Sequence, residues 1–196
     1  MASGPRRLVL ATRNRHKVVE VERILRPLGL GVEPLPPAVM LPPEDGETFA
    51  ANALGKARAA AAVTGRAAIG DDSGIESAAL GGRPGVRSAR YAGPSADDEA
   101  NLAKLIAEVP AGSGLRYVCA LAHVDPAGAE HVFTGACGGR MADGRRGVRG
   151  FGYDPVFVPD EDASGRTMAE LSEAEKDAIS HRGRALRALV EWLAGR

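Results

Sequence analysis

No apolar run in this sequence approaches the roughly 20 residues that a membrane-spanning helix requires. The opening "MASGPRRLVLATRN" likewise has no apolar stretch long enough for a secretory signal, so the expected compartment is the cytoplasm. Cysteine is scarce: Cys119 and Cys137 are the two present. They fall on candidate strands, "RYVCALAHVD" and "EHVFTGACGGR", which the turn-like "PAGA" would join as a hairpin. Two free, small, buried side chains are the expected outcome, not a disulfide. There is no CxxC and no His/Cys metal-ligand spacing, and the four histidines are scattered, which argues against a zinc site. The 25 basic and 25 acidic side chains cancel. That speaks against a bulk electrostatic grip on nucleic acid while leaving room for a local basic site. The phosphate-loop pattern GxxxxGK[ST], the dinucleotide pattern GxGxxG and the GxSxG nucleophile elbow are all missing.

What remains is an ordinary globular composition, 44% apolar and 26% charged, over 196 residues. A single domain over 1–196 is expected. "RLVLA" (7–11) reads as a buried strand, and Val18, Val21, Glu22 and Leu25 begin a helix that stops near "PLGLG". The five prolines of 34–47 make that segment a loop or sheet edge. A second helix follows, with Thr48 as cap, Gly65 as stop and Phe49, Ala53, Ala57 and Ala60/Ala61 as its apolar stripe. Thr48, Asn52 and Lys56 stack on another face at spacings of four. "AAIG" (67–70) reads as a short strand running into "DDSG", and a helix near 97–108 precedes the hairpin. The last 25 residues read as helix, with a capping box at 172–175 and a stripe of Leu186, Leu189, Val190 and Leu193. Strands interleaved with helices predict an α/β fold, a mixed sheet with flanking helices.

Four patches carry chemistry. "TRNRHK" (12–17) lies at a strand-to-helix junction, where free N–H groups and the helix dipole favour anions. It offers side-chain donors in place of glycines. Asp71 and Asp72, at the end of an apolar strand, suit a magnesium ion that takes a few carboxylates plus phosphate oxygens. The same Asp, Ser and Gly residues also suit a solvated turn. In "FGYDPVF" (151–157), Phe151 and Tyr153 could stack on a flat ring and Asp154 could accept from it, or the aromatic pair could close the core. The arginines before it (Arg140, Arg145, Arg146 and Arg149) read as solvated surface more readily than as a phosphate clamp. Lys176, Ser180, His181 and Arg182 fall where one helix breaks and another begins.

Taken in order, "TRNRHK" (12–17), "ETFAANALGKA" (47–57), "DDSG" (71–74), "GGRPGVRSARYAG" (81–93), "GFGYDP" (150–155) and "KDAISHR" (176–182) span nearly the whole chain. With them the sequence resembles the Ham1-like nucleoside-triphosphate pyrophosphatases, which clear inosine and xanthosine triphosphates. The resemblance implies an elongated mixed sheet with flanking helices, in two lobes around a substrate cleft, and a homodimer. It implies hydrolysis of ITP/dITP and XTP/dXTP to the monophosphate and pyrophosphate. The "TRNRHK" loop, Thr12 through Arg13, Asn14, Arg15 and His16 to Lys17, would hold the triphosphate together with Lys56. Glu44 and Asp72 would hold Mg2+ with Asp71 beside them, Glu47 being an alternative to Glu44. Asp72 would accept the proton of the attacking water and Ser73 would contact substrate. Phe151, Gly152, Tyr153, Asp154, Lys176, His181 and Arg182 would form the purine pocket, with His181 and Arg182 donating to the C6 oxygen. Where family members often carry glycine, this chain has Arg13. No nucleic acid or membrane partner is expected.

Two other readings compete. Maf-type pyrophosphatases share the general fold, but their loop resembles a Ser-rich stretch ending in paired arginines, which "ATRNRHK" does not match. A nucleotide-binding module without catalysis would have no need of Asp71 and Asp72 with Lys17 and Lys56 to orient water.

Overall fold

A computed structural model describes residues 7–195. The first six residues, on which part of the expectation about a secretory signal falls, and Arg196 lie outside the described residues. Six strands form one sheet in the order β2-β1-β3-β4-β5-β6. They are β1 (Arg7–Leu10), β2 (Gly31–Pro34), β3 (Ala68–Ser77), β4 (Gly114–Val124), β5 (Glu130–Met141) and β6 (Phe157–Pro159). β1 pairs in parallel with β2 and β3, whereas β5 and β6 are antiparallel, so the sheet is mixed as expected. The α-helices are α1 (Arg15–Leu25), α2 (Phe49–Thr64), α3 (Asp98–Glu108), α4 (Glu173–Ile179) and α5 (His181–Ala194). Among the described residues no helix is long and apolar enough to cross a membrane.

Local chemistry sets the helix ends. The Thr48 side chain accepts the Ala51 N–H at the start of α2, and Gly65 ends it with a left-handed backbone (φ 62°). Asp97 caps α3 by accepting the Ala100 N–H, and Ser172 with Glu175 forms the expected capping box of α4.

The chain divides into two compact units, whose boundaries fall inside β3, β4, β5 and α5. The first comprises the chain up to Asp72, Cys119–Gly135, and the chain from Arg182 onward. Here the strands alternate. Leu8, Leu10 and Ile69 pack with Val21 and Leu25 of α1 and Leu186 and Leu189 of α5. Val9, Ala11 and Ala68 pack with Ala53, Ala57 and Ala60 of α2. α2 lies so close to β3 that a Cβ on Gly70 would come 2.3 Å from the Ala53 carbonyl oxygen. The second unit comprises Ser73–Val118 and Ala136–His181. Its core gathers Ile75, Leu102 and Leu105 of α3, Tyr117, Phe157, Met168 and Leu171.

One boundary departs from expectation in a way that matters. β3 does not stop at residue 70; it continues through "DDSG" to Ser77. The apolar run ends, yet the strand persists because the buried carboxylates of Asp71 and Asp72 find cationic and hydrogen-bonding partners in the interior. Asp71 and Asp72 are therefore strand residues, not turn residues.

Candidate active site

Consecutive residues of a strand point to opposite sides of the sheet, and this separates the two aspartates of the first unit. Asp72 faces α2. Its Oδ2 accepts a hydrogen bond from Asn52 Nδ2 at 2.9 Å, and its Oδ1 lies 3.4 Å from Lys56 Nζ. The Lys56 ammonium also bonds Glu44, in the loop after the prolines. Burial pushes the Asp72 carboxyl above its ordinary value and the neighbouring Glu44 adds to this, while Lys56 and Asn52 pull it back. Burial alone would lower the Lys56 pKa, but Asp72 and Glu44 outweigh it and raise it.

Asp71 faces α1 and α5 instead. Fully buried, it pairs with Lys17 and with Arg182, whose Nε lies 2.9 Å from Asp71 Oδ2, and it accepts the Cys119 thiol at 3.2 Å. The Arg182 Nη1 bonds Glu20 of α1 at 2.5 Å. Burial works against ionising Asp71, but Arg182 and Lys17 prevail and hold its carboxyl well below the usual range. Burial first, and then the Asp71 charge, pushes the Cys119 thiol well up. Cys119 and Cys137 are both buried and free, as expected.

The "TRNRHK" stretch forms the turn from β1 into α1. Thr12 Oγ1 accepts the Asn14 N–H and Asn14 Oδ1 accepts the Lys17 N–H, each at 3.1 Å, so both residues shape the helix start. Arg15 and His16 lie exposed in its first turn. Arg13 reaches elsewhere. Its guanidinium donates to the carbonyls of Leu35, Pro36, Pro37 and Val39, at 3.0–3.4 Å, and clamps the proline-rich loop.

In the second unit Asp154 is the centre. Its Oδ2 accepts from Lys176 Nζ at 2.6 Å and from the Phe151 N–H at 2.9 Å, and its Oδ1 accepts from the Tyr117 hydroxyl at 3.2 Å. Tyr117 stacks on His181 with centroids 4.6 Å apart and planes 8° from parallel. The Lys176 ammonium lies 5.1 Å from the centre of the half-buried Phe151 ring. Gly150 is needed here: its φ is 72°, and a Cβ would lie 2.0 Å from Asp154 Oδ2. Gly152 is half-buried in the same turn, and Ser73 is half-buried on β3.

The Ham1 family model matches residues 8–192. The chain belongs to the Ham1 family. A dITP/XTP pyrophosphatase of Mycolicibacterium paratuberculosis is 50% identical over 199 residues, covering 95% of each chain. A dITP/XTP pyrophosphatase of Symbiobacterium thermophilum is 49% identical over 191 residues, covering 96% of this chain and 95% of its own. The solved structure of a Ham1 protein from Coxiella burnetii superposes with a TM-score of 0.84 at 39% identity, over 97% of this chain and all of that one.

Besides Arg13, whose guanidinium holds the 35–39 loop, three residues of this Ham1 chain sit differently from expectation. Arg182 is 2% exposed with its guanidinium committed to Asp71 and Glu20, so its side chain is taken up by an interior ion network. Tyr153 is a core residue whose hydroxyl donates to the Ser88 carbonyl at 2.7 Å, which removes it as a base-stacking ring. Asp71, enclosed by Lys17, Arg182 and Cys119, is not placed to share a metal with Asp72. The loop arginines are surface features as read: Arg145 pairs with Glu99, and Arg146 with Asp143 and Glu170.

Glu20, Asn52, Tyr117 and Cys119 complete these clusters. Only Asn52 gave a sequence signal, through its spacing from Lys56. Among the described residues no three or more His, Cys, Asp or Glu side chains gather as a metal site. Magnesium needs only one or two carboxylates beside phosphate and water. Glu44 and Asp72 fit that need, since two carboxylates already share the single Lys56 ammonium and leave one negative charge over. Of the two candidate glutamates, Glu44 is the one bonded to Lys56.

Proposed function

We propose that this chain hydrolyses deaminated purine nucleoside triphosphates, ITP and XTP and their deoxy forms, to the monophosphate and pyrophosphate, and so cleanses the nucleotide pool. It acts as one domain, in the cytoplasm, as a magnesium-dependent homodimer. The observation that carries the reading is the Glu44–Lys56–Asp72 cluster in a chain of the Ham1 family.

Asp72 accepts the proton of the water that attacks the α-phosphorus. Its burial raises its basicity toward the working pH, which is what a general base requires. Lys17 and Lys56, with Thr12, Asn14 and the N–H groups at the start of α1, hold the triphosphate. Glu44 and Asp72 would hold Mg2+, which when bound supplies positive charge to the phosphate oxygens. Asp71 and Arg182 fix α1 and α5 on β3 and do not touch the reacting atoms. Phe151, Gly152, Asp154, Lys176 and His181 receive the purine, and Ser73 contacts substrate. Hypoxanthine and xanthine present an accepting oxygen at C6, and His181, Lys176 and nearby N–H groups are donors for it. Adenine would set donor against donor and leave buried groups unpaired, at about 1–3 kcal/mol each.

Pyrophosphate release measured across ITP, XTP, ATP and GTP tests this reading. Rapid turnover of the first two, lost on chelation and restored by Mg2+, is expected; equal turnover of all four would overturn it. A symmetric dimer is the commonest closed assembly. Sedimentation that shows only a 20.3 kDa species at micromolar concentration would reject the dimer.

A further inference from the structure

Helix α2 places a buried amide between the loop that carries Glu44 and the strand that carries Asp72. Asn52 Oδ1 accepts the Gly46 N–H at 2.9 Å, and Asn52 Nδ2 donates to Asp72 Oδ2 at 2.9 Å. The first bond determines the second. A flipped amide would set N–H against N–H at Gly46 and oxygen against carboxylate at Asp72. We propose that Asn52 is a positioning residue of the hydrolytic reaction, holding the Asp72 carboxylate and the Glu44 loop in one fixed arrangement.

The geometry supports this in three ways. The terminal torsion of an aspartate is broad, so a carboxylate keeps one orientation only when its oxygens are held separately. Here Asn52 holds Oδ2 while Lys56 faces Oδ1. The loop also meets the helix at a close approach, since a Cβ on Gly46 would lie 2.6 Å from Asn52 Oδ1. Finally, the asparagine amide is buried, and a polar side chain is costly to bury. An apolar side chain would serve better if packing were its task.

The role rests on Asp72 being the proton acceptor. Asn52→Asp keeps the acceptor for the Gly46 N–H but replaces the donor to Asp72 with a second carboxylate. Asn52→Leu removes both bonds without adding charge, so its kcat decides the matter should the added carboxylate unfold the chain. For both variants kcat on ITP is expected to fall on the order of 10²-fold, as for a misplaced catalytic group, with KM within about threefold. Combined with Asp72→Asn, Asn52→Asp should cost no further activity and Asn52→Leu much less than it does alone, because the Asp72 carboxylate carries most of the effect. Wild-type kcat in Asn52→Leu, a rise in KM alone, or full additivity with Asp72→Asn would overturn the proposal. A wild-type protein that turns over no nucleoside triphosphate would overturn the reading of Asp72 itself, and this role with it.

Discussion

Asp71 in the first unit and Asp154 in the second are built alike and serve different ends. Each is a buried carboxylate that receives a lysine and a neutral donor. Asp71 takes Lys17 and the Cys119 thiol; Asp154 takes Lys176 and the Tyr117 hydroxyl. The difference lies in what else they hold. Asp71 adds a guanidinium from α5 that is in turn held by Glu20 of α1, so buried ion pairs tie the strand to both helices. Asp154 adds only the N–H of Phe151, three residues away, and its lysine lies beside a half-exposed ring. A buried ion network costs much desolvation and is severely damaged when one member is removed. Asp154 is tied to one cation and two neutral donors, a smaller network beside a half-exposed ring, whose donors can turn to a ligand. The first cluster locks the fold, and the second is the one that the proposed function assigns to reading the purine.

The largest effect should come from neither acid but from Asp72. Asp72→Asn keeps the shape of the side chain while removing the proposed base. We expect kcat to fall by about 10²–10⁴ with little change in melting temperature. Full activity in this variant would remove Asp72 from its role and leave Asp71 to be reconsidered.

Next in size is Arg182→Ala, which strands Asp71 and Glu20 without their shared cation. The cost expected for breaking a buried pair is about 3–5 kcal/mol, or roughly 10 °C in melting temperature. Every nucleotide should slow by a common factor. A selective loss of ITP turnover would instead return Arg182 to the purine pocket. The same lock has a pH signature. The folded-state pKa of Asp71 lies well below the ordinary 3.8. Its stabilisation is therefore complete above that ordinary value and is lost as pH falls through the depressed one. Urea midpoints followed downward from pH 5 should drop more steeply in the wild type than in Asp71→Asn.

Much of this was legible in the sequence, and the failures share one cause. Thr48 and Gly65 bound α2 where capping chemistry puts them, and the spacing of Asn52 from Lys56 marked a polar face that proved buried. "DDSG" was opaque because an apolar run ended and the strand did not. Once β3 continues, alternation sends Asp71 and Asp72 to opposite faces, and a single metal can no longer take both. Arg13 and Arg182 misled for a related reason. A guanidinium beside a candidate anion site looks like a ligand donor, yet the partners that claim it, the carbonyls of 35–39 and Asp71 with Glu20, lie far off in the chain. Tyr117 was missed because an aromatic at an alternating strand position reads as core, which by burial it is.

The smallest expected effect is the sharpest test of the reader. Tyr117→Phe removes one hydroxyl, the donor 3.2 Å from Asp154 Oδ1, and leaves the ring stacked on His181 and packed against Phe157. A neutral hydrogen bond of this kind is worth about 0.5–1.5 kcal/mol net, a factor of roughly two to ten. Because Lys176 and the Phe151 N–H still hold the other oxygen, the carboxylate should loosen without collapsing. KM for ITP should rise by that factor while kcat holds, and the preference over ATP should narrow by no more than the same amount. The melting temperature should move by only a few degrees. A collapse of kcat in Tyr117→Phe would mean that the Asp154 cluster takes part in the chemical step, and the division between lock, base and reader would have to be redrawn.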